Sequence, residues 1–162
     1  MADIRQALVD FVRETLQAHD PNYRIEQHVQ LDKLDQGNDA TRRALMGDPA
    51  RYAEVMFSGR IEPDANANVS LDGYGKPREL TRQFEIDVWQ ERKTESDDEL
   101  WDRTIEGDTP DGLFKALQEW PGAVIDGVFH RANIVGEAPT FLLPLNEIRF
   151  AHYARATVII TG

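Results

Sequence analysis

The pair Gly75-Lys76, inside the glycine-bearing turn from Ser70 to Leu80, is where phosphate chemistry would be written in this sequence. A phosphate loop sets a glycine five positions before the glycine of such a pair and a serine or threonine after the lysine. Backbone N–H groups, the ammonium and a hydroxyl then converge on phosphate oxygens. Here those positions hold Ser70 and Pro77. The lysine also precedes an alternating strand pattern, whereas the motif needs a helix N-terminus whose free amides hold the phosphate. A surface turn is the better reading, and Lys76 becomes a contact rather than a catalyst.

Metal and nucleophile chemistry meet similar obstacles. His19, His28, His130 and His152 are scattered, with no helical His-x-x-x-His pair. Asp32, Asp35 and Asp39 surround Gly37 but lack the alternation and closing glutamate of a calcium loop. Asp97, Asp98 and Glu99 read as helix-capping acids. Cysteine is absent, and Ser58, Ser70 and Ser96, the only serines, do not form a Gly-x-Ser-x-Gly elbow. With 29 acidic residues, carboxylate pairs arise by chance and no pair stands out. The expectation is a protein that is not an enzyme and uses no cofactor or metal.

Charge narrows the partners. The net charge is −11, from 29 acidic against 18 basic residues. Neutralising phosphates requires a basic surface, so specific duplex binding is disfavoured, although an acidic channel would let DNA slide. No window reaches the roughly 18 apolar residues of a membrane span, so no membrane partner is expected. A cysteine-free chain is at home in the cytosol. The length of 162 residues suits one domain with one core.

The elements that must position any site follow from periodicity. Ile4, Leu8, Phe11, Val12 and Leu16 mark an amphipathic helix over Ala2 to Ala18, closed by His19-Asp20-Pro21. "YRIEQHVQL" alternates as a half-exposed strand, and Asp39 to Met46 reads as a short helix. A strand runs through Ala53, Val55, Phe57 and Ile61, and "LTRQFEIDVWQ" is the clearest strand of all. Between them a polar loop spans 62–79. Ser96 with Glu99 forms a capping box, and Thr109 with Pro110 signals a second helix start. One strand from Val124 to Val135 and a last one from Ile148 to Thr161 complete the pattern, with Ala138 to Leu145 too broken by proline for regular structure. The expected fold class is α+β: a mostly antiparallel sheet of four to five strands with helices packed on one face, as a single domain over 1–162. The closing strand, apolar on both faces, should lie centrally in its sheet or beneath a partner.

Three pieces in this order carry a resemblance: "DIRQALVDFVRETL", "RQFEIDVWQERKTESDDELWDRTIE" and "HYARATVIITG". The layout resembles the tail terminator family of long-tailed bacteriophages, that of the lambda minor tail protein capping the tail tube. The resemblance implies a structural virion protein without enzyme activity. Such a protein forms a homo-oligomeric, six-membered ring on the tail tube protein, stops tube polymerisation and presents a surface to the head–tail connector protein. DNA would pass through the lumen without specific binding. The place implied is the tail end near the neck of the virion, assembled in the host cytoplasm. Expected assembly contacts are Tyr74, Lys76 and Arg78 in the polar loop, with Tyr153 and Arg155 on the last strand. Alternatives are a neck or head–tail connector subunit, or a small acidic enzyme or ligand-binding domain with a cleft near Glu62 to Glu79.

Overall fold

The computed structural model describes residues 3–28, 47–61, 81–137, 141–145 and 148–162. Helix α1 covers Ile4–Gln17 and buries Ile4, Leu8, Val9, Val12 and Leu16. Asp3 caps it by accepting the Gln6 N–H at 2.8 Å, which satisfies one of the otherwise orphaned first-turn donors. Strand β1, Arg24–His28, pairs in parallel with β2, Arg51–Ile61, which runs antiparallel to β3, Thr81–Arg92. Helix α2 covers Glu95–Glu106 and helix α3 Leu113–Glu119. Strands β4 (Gly122–Ile125), β5 (Val128–Glu137), β6 (Phe141–Pro144) and β7 (Phe150–Thr161) follow.

These seven strands form one sheet in the order β1-β2-β3-β7-β5-β4, with β6 also paired to β7. Strand β7 is interior. All of one edge lies against β3, while β6 takes Phe150 to Tyr153 of the other edge and β5 takes Ala156 to Thr161.

The expected fold class is therefore corrected. Among the described residues, strand accounts for 49% and seven strands form a curled, mixed sheet, so the fold is β-rich. Two physical reasons explain the difference. Alternation reports which face a side chain takes but not strand direction, so the parallel β1–β2 pairing left no mark in the pattern. The supposed single strand from Val124 to Val135 is a hairpin: Asp126 and Gly127 turn at φ of 50° and 81°, the positive values a type I′ turn needs. Beyond it, Phe141 to Pro144 does form a strand despite the neighbouring prolines, because pairing with β7 stabilises it. The short helix expected at Asp39 to Met46 lies outside the described residues.

Helix starts also shift. The α2 cap centres on Thr94 rather than Ser96: Asp97 Oδ2 accepts the N–H groups of Thr94 at 2.9 Å and Lys93 at 2.8 Å. Thr109 and Pro110 lie in a turn closed by an Asp108–Asp111 bridge, and α3 begins after Gly112.

One core joins the helices to the inner sheet face. Leu8, Leu16, Trp101, Ile105, Leu113 and Leu117 meet Val55, Phe84, Ile86, Val88, Ala156 and Val158, all buried. At roughly 25 cal/mol per Å² of apolar surface removed from water, this cluster is the main favourable term holding the chain together.

Candidate functional site: a polar sheet face beside a cationic cavity

Period-two alternation sends every second residue of β2, β3 and β7 to the face opposite the core. Register then aligns these residues in rows. Tyr52, Trp89 and Tyr153 stand side by side, with ring centroids 5.7 Å and 5.2 Å apart. The next row is Glu54, Asp87 and Arg155, and the one after it Met56, Glu85 and Thr157.

Glu54, Glu85 and Asp87 are all buried, an expensive place for carboxylates unless hydrogen bonds replace water. Each receives them. Asp87 accepts from Arg155 Nε at 2.6 Å, Arg155 Nη2 at 2.8 Å and Tyr153 Oη at 2.9 Å. Glu85 accepts from Thr157 Oγ1 at 2.7 Å and Gln83 Nε2 at 3.0 Å, and Glu54 from Tyr52 Oη at 2.9 Å. Burial first, then the Asp87 charge, raises the Tyr153 hydroxyl above the ordinary tyrosine range, so it stays a donor.

Of the expected contact residues, Tyr153 and Arg155 thus meet on a single carboxylate. Arg155 keeps 41% of its side chain exposed and can reach a further partner. Tyr74, Lys76 and Arg78 lie outside the described residues, as does the cleft expected near Glu62 to Glu79.

The same face leads to a cavity of about 400 Å³ lined by Asp48, Glu91, Arg92, Lys93, Ile148 and Arg149. Glu91 is its fixed point, only 1% exposed. It accepts the Ala50 N–H at 3.0 Å and a charge-assisted bond from Arg149, and its Oε2 lies 3.6 Å from Lys93 Nζ. Burial works to raise its pKa, but the Arg149 and Ala50 hydrogen bonds and the nearby positive charges together hold it below the usual carboxylate range. On the cavity rim Lys93 Nζ donates to Asp48 Oδ1 at 2.7 Å, and that bond draws the Asp48 carboxyl down as well.

A third polar cluster sits where β7 meets α2. His152 Nε2 lies 2.6 Å from Asp98 Oδ1, its ring stacks on Trp101 at 5.4 Å, and Arg92 grips the same carboxylate from the other side. Among the described residues, no group of three or more histidines and carboxylates is arranged to hold a metal ion.

Exposed apolar side chains complete the surface. On the β4–β5 hairpin, Val124 is 65% and Phe129 53% exposed, directly paired across the strands, with Val135 further along β5. Their neighbours Ala123, Ile125 and Ile134 pack on the core, so the exposed set faces away from it. Near β6, Leu142, Ile148 and Phe150 are exposed as well. Phe150 shares the parity of His152 and Ala154 along β7, which puts it on the helix-bearing side.

Sequence reasoning missed the Glu91–Arg149 pair because its members are 58 residues apart and only the β3–β7 register joins them. The hairpin had a readable signal, Asp126-Gly127 between two apolar runs. Compared with protein-family models and with curated proteins, the chain has no match.

Proposed function

We propose that this chain is a tail terminator of a phage or phage-like particle. It is a structural subunit that closes head to tail into a six-membered ring, caps the tail tube, ends its polymerisation and offers the head-joining surface. One observation carries the reading: two separate exposed apolar patches, Val124 with Phe129 and Leu142 with Phe150, flank the same edge of β7 on opposite faces of the sheet. A ring built from head-to-tail contacts needs two different surfaces on each subunit, unlike a twofold dimer, which uses one surface twice. The resemblance in element order supports the same reading, and a net charge of −11 suits a lumen that DNA must traverse without sticking.

A neck or head–tail connector subunit would use the same two surfaces and differ in which ring it sits on. The small ligand-binding domain remains a second reading, favoured by the cavity beside Lys93 and Arg149. Native mass measurement and negative-stain imaging of the purified protein with tail tubes test the leading reading. Closed rings seated on tube ends support it. A strict monomer that never caps a tube overturns it.

A further inference from the structure

We propose that the cavity bounded by Asp48, Glu91, Arg92, Lys93, Ile148 and Arg149 is a binding site for a small molecule bearing a carboxylate or phosphate group, and that Asp48 is the internal carboxylate occupying its anchor in the free protein. The site does not depend on the assembly reading.

Local charge is the first support. In a chain of net charge −11, two cations, Lys93 and Arg149, converge here on the carboxylates of Asp48 and Glu91. Rigidity is the second. Arg149 is tied to Glu91 and also donates to the Gly47 carbonyl at 3.0 Å, so its guanidinium is held in one place by groups on two different segments. Glu91, almost wholly buried, cannot leave without abandoning the Ala50 N–H and the arginine together. A cation oriented in advance binds an anion without first losing rotamer freedom.

Geometry is the third support. Asp48 Oδ1 lies 2.7 Å from Lys93 Nζ and 4.0 Å from Arg149 Nη2, so a carboxylate oxygen already sits between the two cations. The Asp48 side chain is 68% exposed and can swing into water, unlike Glu91. An incoming oxyanion therefore replaces Asp48, not Glu91. Arg92 adds positive charge but is held by Asp98 through Nε and Nη2, which makes it a rim group rather than the anchor. Ile148, which also lines the cavity, is 85% exposed and offers apolar surface to the body of the ligand. A cavity of about 400 Å³ falls within the usual range for small-molecule sites.

The test is an NMR titration of the isotope-labelled full chain at constant ionic strength, with inorganic phosphate, acetate and hexanoate as separate probes. Saturable shifts are expected at the amides of Gly47, Lys93 and Arg149. Asp48→Asn removes the competitor and one repelling charge, so it should tighten binding about fivefold, while Lys93→Gln should weaken it by about the same factor. Both positions are half-exposed or more, so both variants should keep the wild-type spectrum elsewhere. Phosphate binding more tightly than acetate marks a phosphate site and the reverse a carboxylate site. Hexanoate surpassing acetate, with the advantage lost in Ile148→Ser, supports the apolar contact. Shifts that never saturate, or that are equal in wild type, Asp48→Asn and Lys93→Gln, overturn the proposal and leave a surface ion-pair cluster.

Discussion

Arg51, at the start of β2, places Nη2 3.1 Å from Asp97 Oδ1 on helix α2 while its Nε lies 3.1 Å from Asp20 Oδ2 in the turn after α1. One buried guanidinium thus fastens three elements, and it donates to the Ala50 and Glu91 carbonyls as well. Removing it strands two partly buried carboxylates beside each other. Arg51→Met should cost about 3 kcal/mol in urea unfolding. Arg51→Lys keeps the charge but not the planar fork, and should recover only part of that loss.

Acid sensitivity should follow the same carboxylates. Glu91, Asp97 and Asp98 all have pKa values lowered in the folded state, Asp98 chiefly through the Arg92 and His152 hydrogen bonds. A lowered folded pKa means stability that is complete above the unfolded value of about 4 and lost as pH falls through the folded value. Urea midpoints should therefore be flat near neutrality and decline steadily below about pH 4. Glu91→Gln should shift the neutral plateau down and make the acid limb shallower, because one linked proton has been removed.

Tyr23 and Tyr153 should resist ionisation. Tyr23 is buried with its hydroxyl donating to Gln90 Oε1 at 2.8 Å, and burial raises its pKa, as it does for Tyr153. A raised folded pKa keeps its stability contribution below the unfolded value of about 10 and loses it as pH rises through the folded value. In an absorbance titration these two should stay protonated past about pH 10 and ionise together with alkaline unfolding.

Gly122 is where backbone geometry admits no side chain. Its φ is +116°, and a Cβ there would stand 1.8 Å from the His130 carbonyl oxygen of the paired strand. Gly122→Ala should destabilise the protein by at least about 2 kcal/mol, since both the left-handed conformation and the clash must be relieved. Thermal unfolding reads this directly.

Phe129 should report on assembly rather than folding. It is exposed and pairs with Val124 in the hairpin register, so Phe129→Ser should change thermal stability by no more than about 0.5 kcal/mol. In the ring reading the same substitution should shift the mass distribution from rings to monomers. Unchanged rings would remove the hairpin from the interface.

Much of the local structure was legible in the chain alone. Helix α1 follows from Ile4, Leu8, Val12 and Leu16 recurring every four residues, and the division of β7 between Ala154, Ala156 and Val158 on one face and Tyr153, Arg155 and Thr157 on the other follows from alternation. Those patterns are periodicities of neighbouring residues, and such information is carried by sequence. What only the tertiary structure decided is pairing: the parallel β1–β2 contact, the sharing of one β7 edge by β5 and β6, and the meeting of Glu91 with Arg149. The burial pattern of a strand is the same whichever neighbour it takes and in whichever direction. Strand order and the long-range ion pairs arise when the whole apolar surface is buried at once, with each carboxylate that follows it inward matched to a donor.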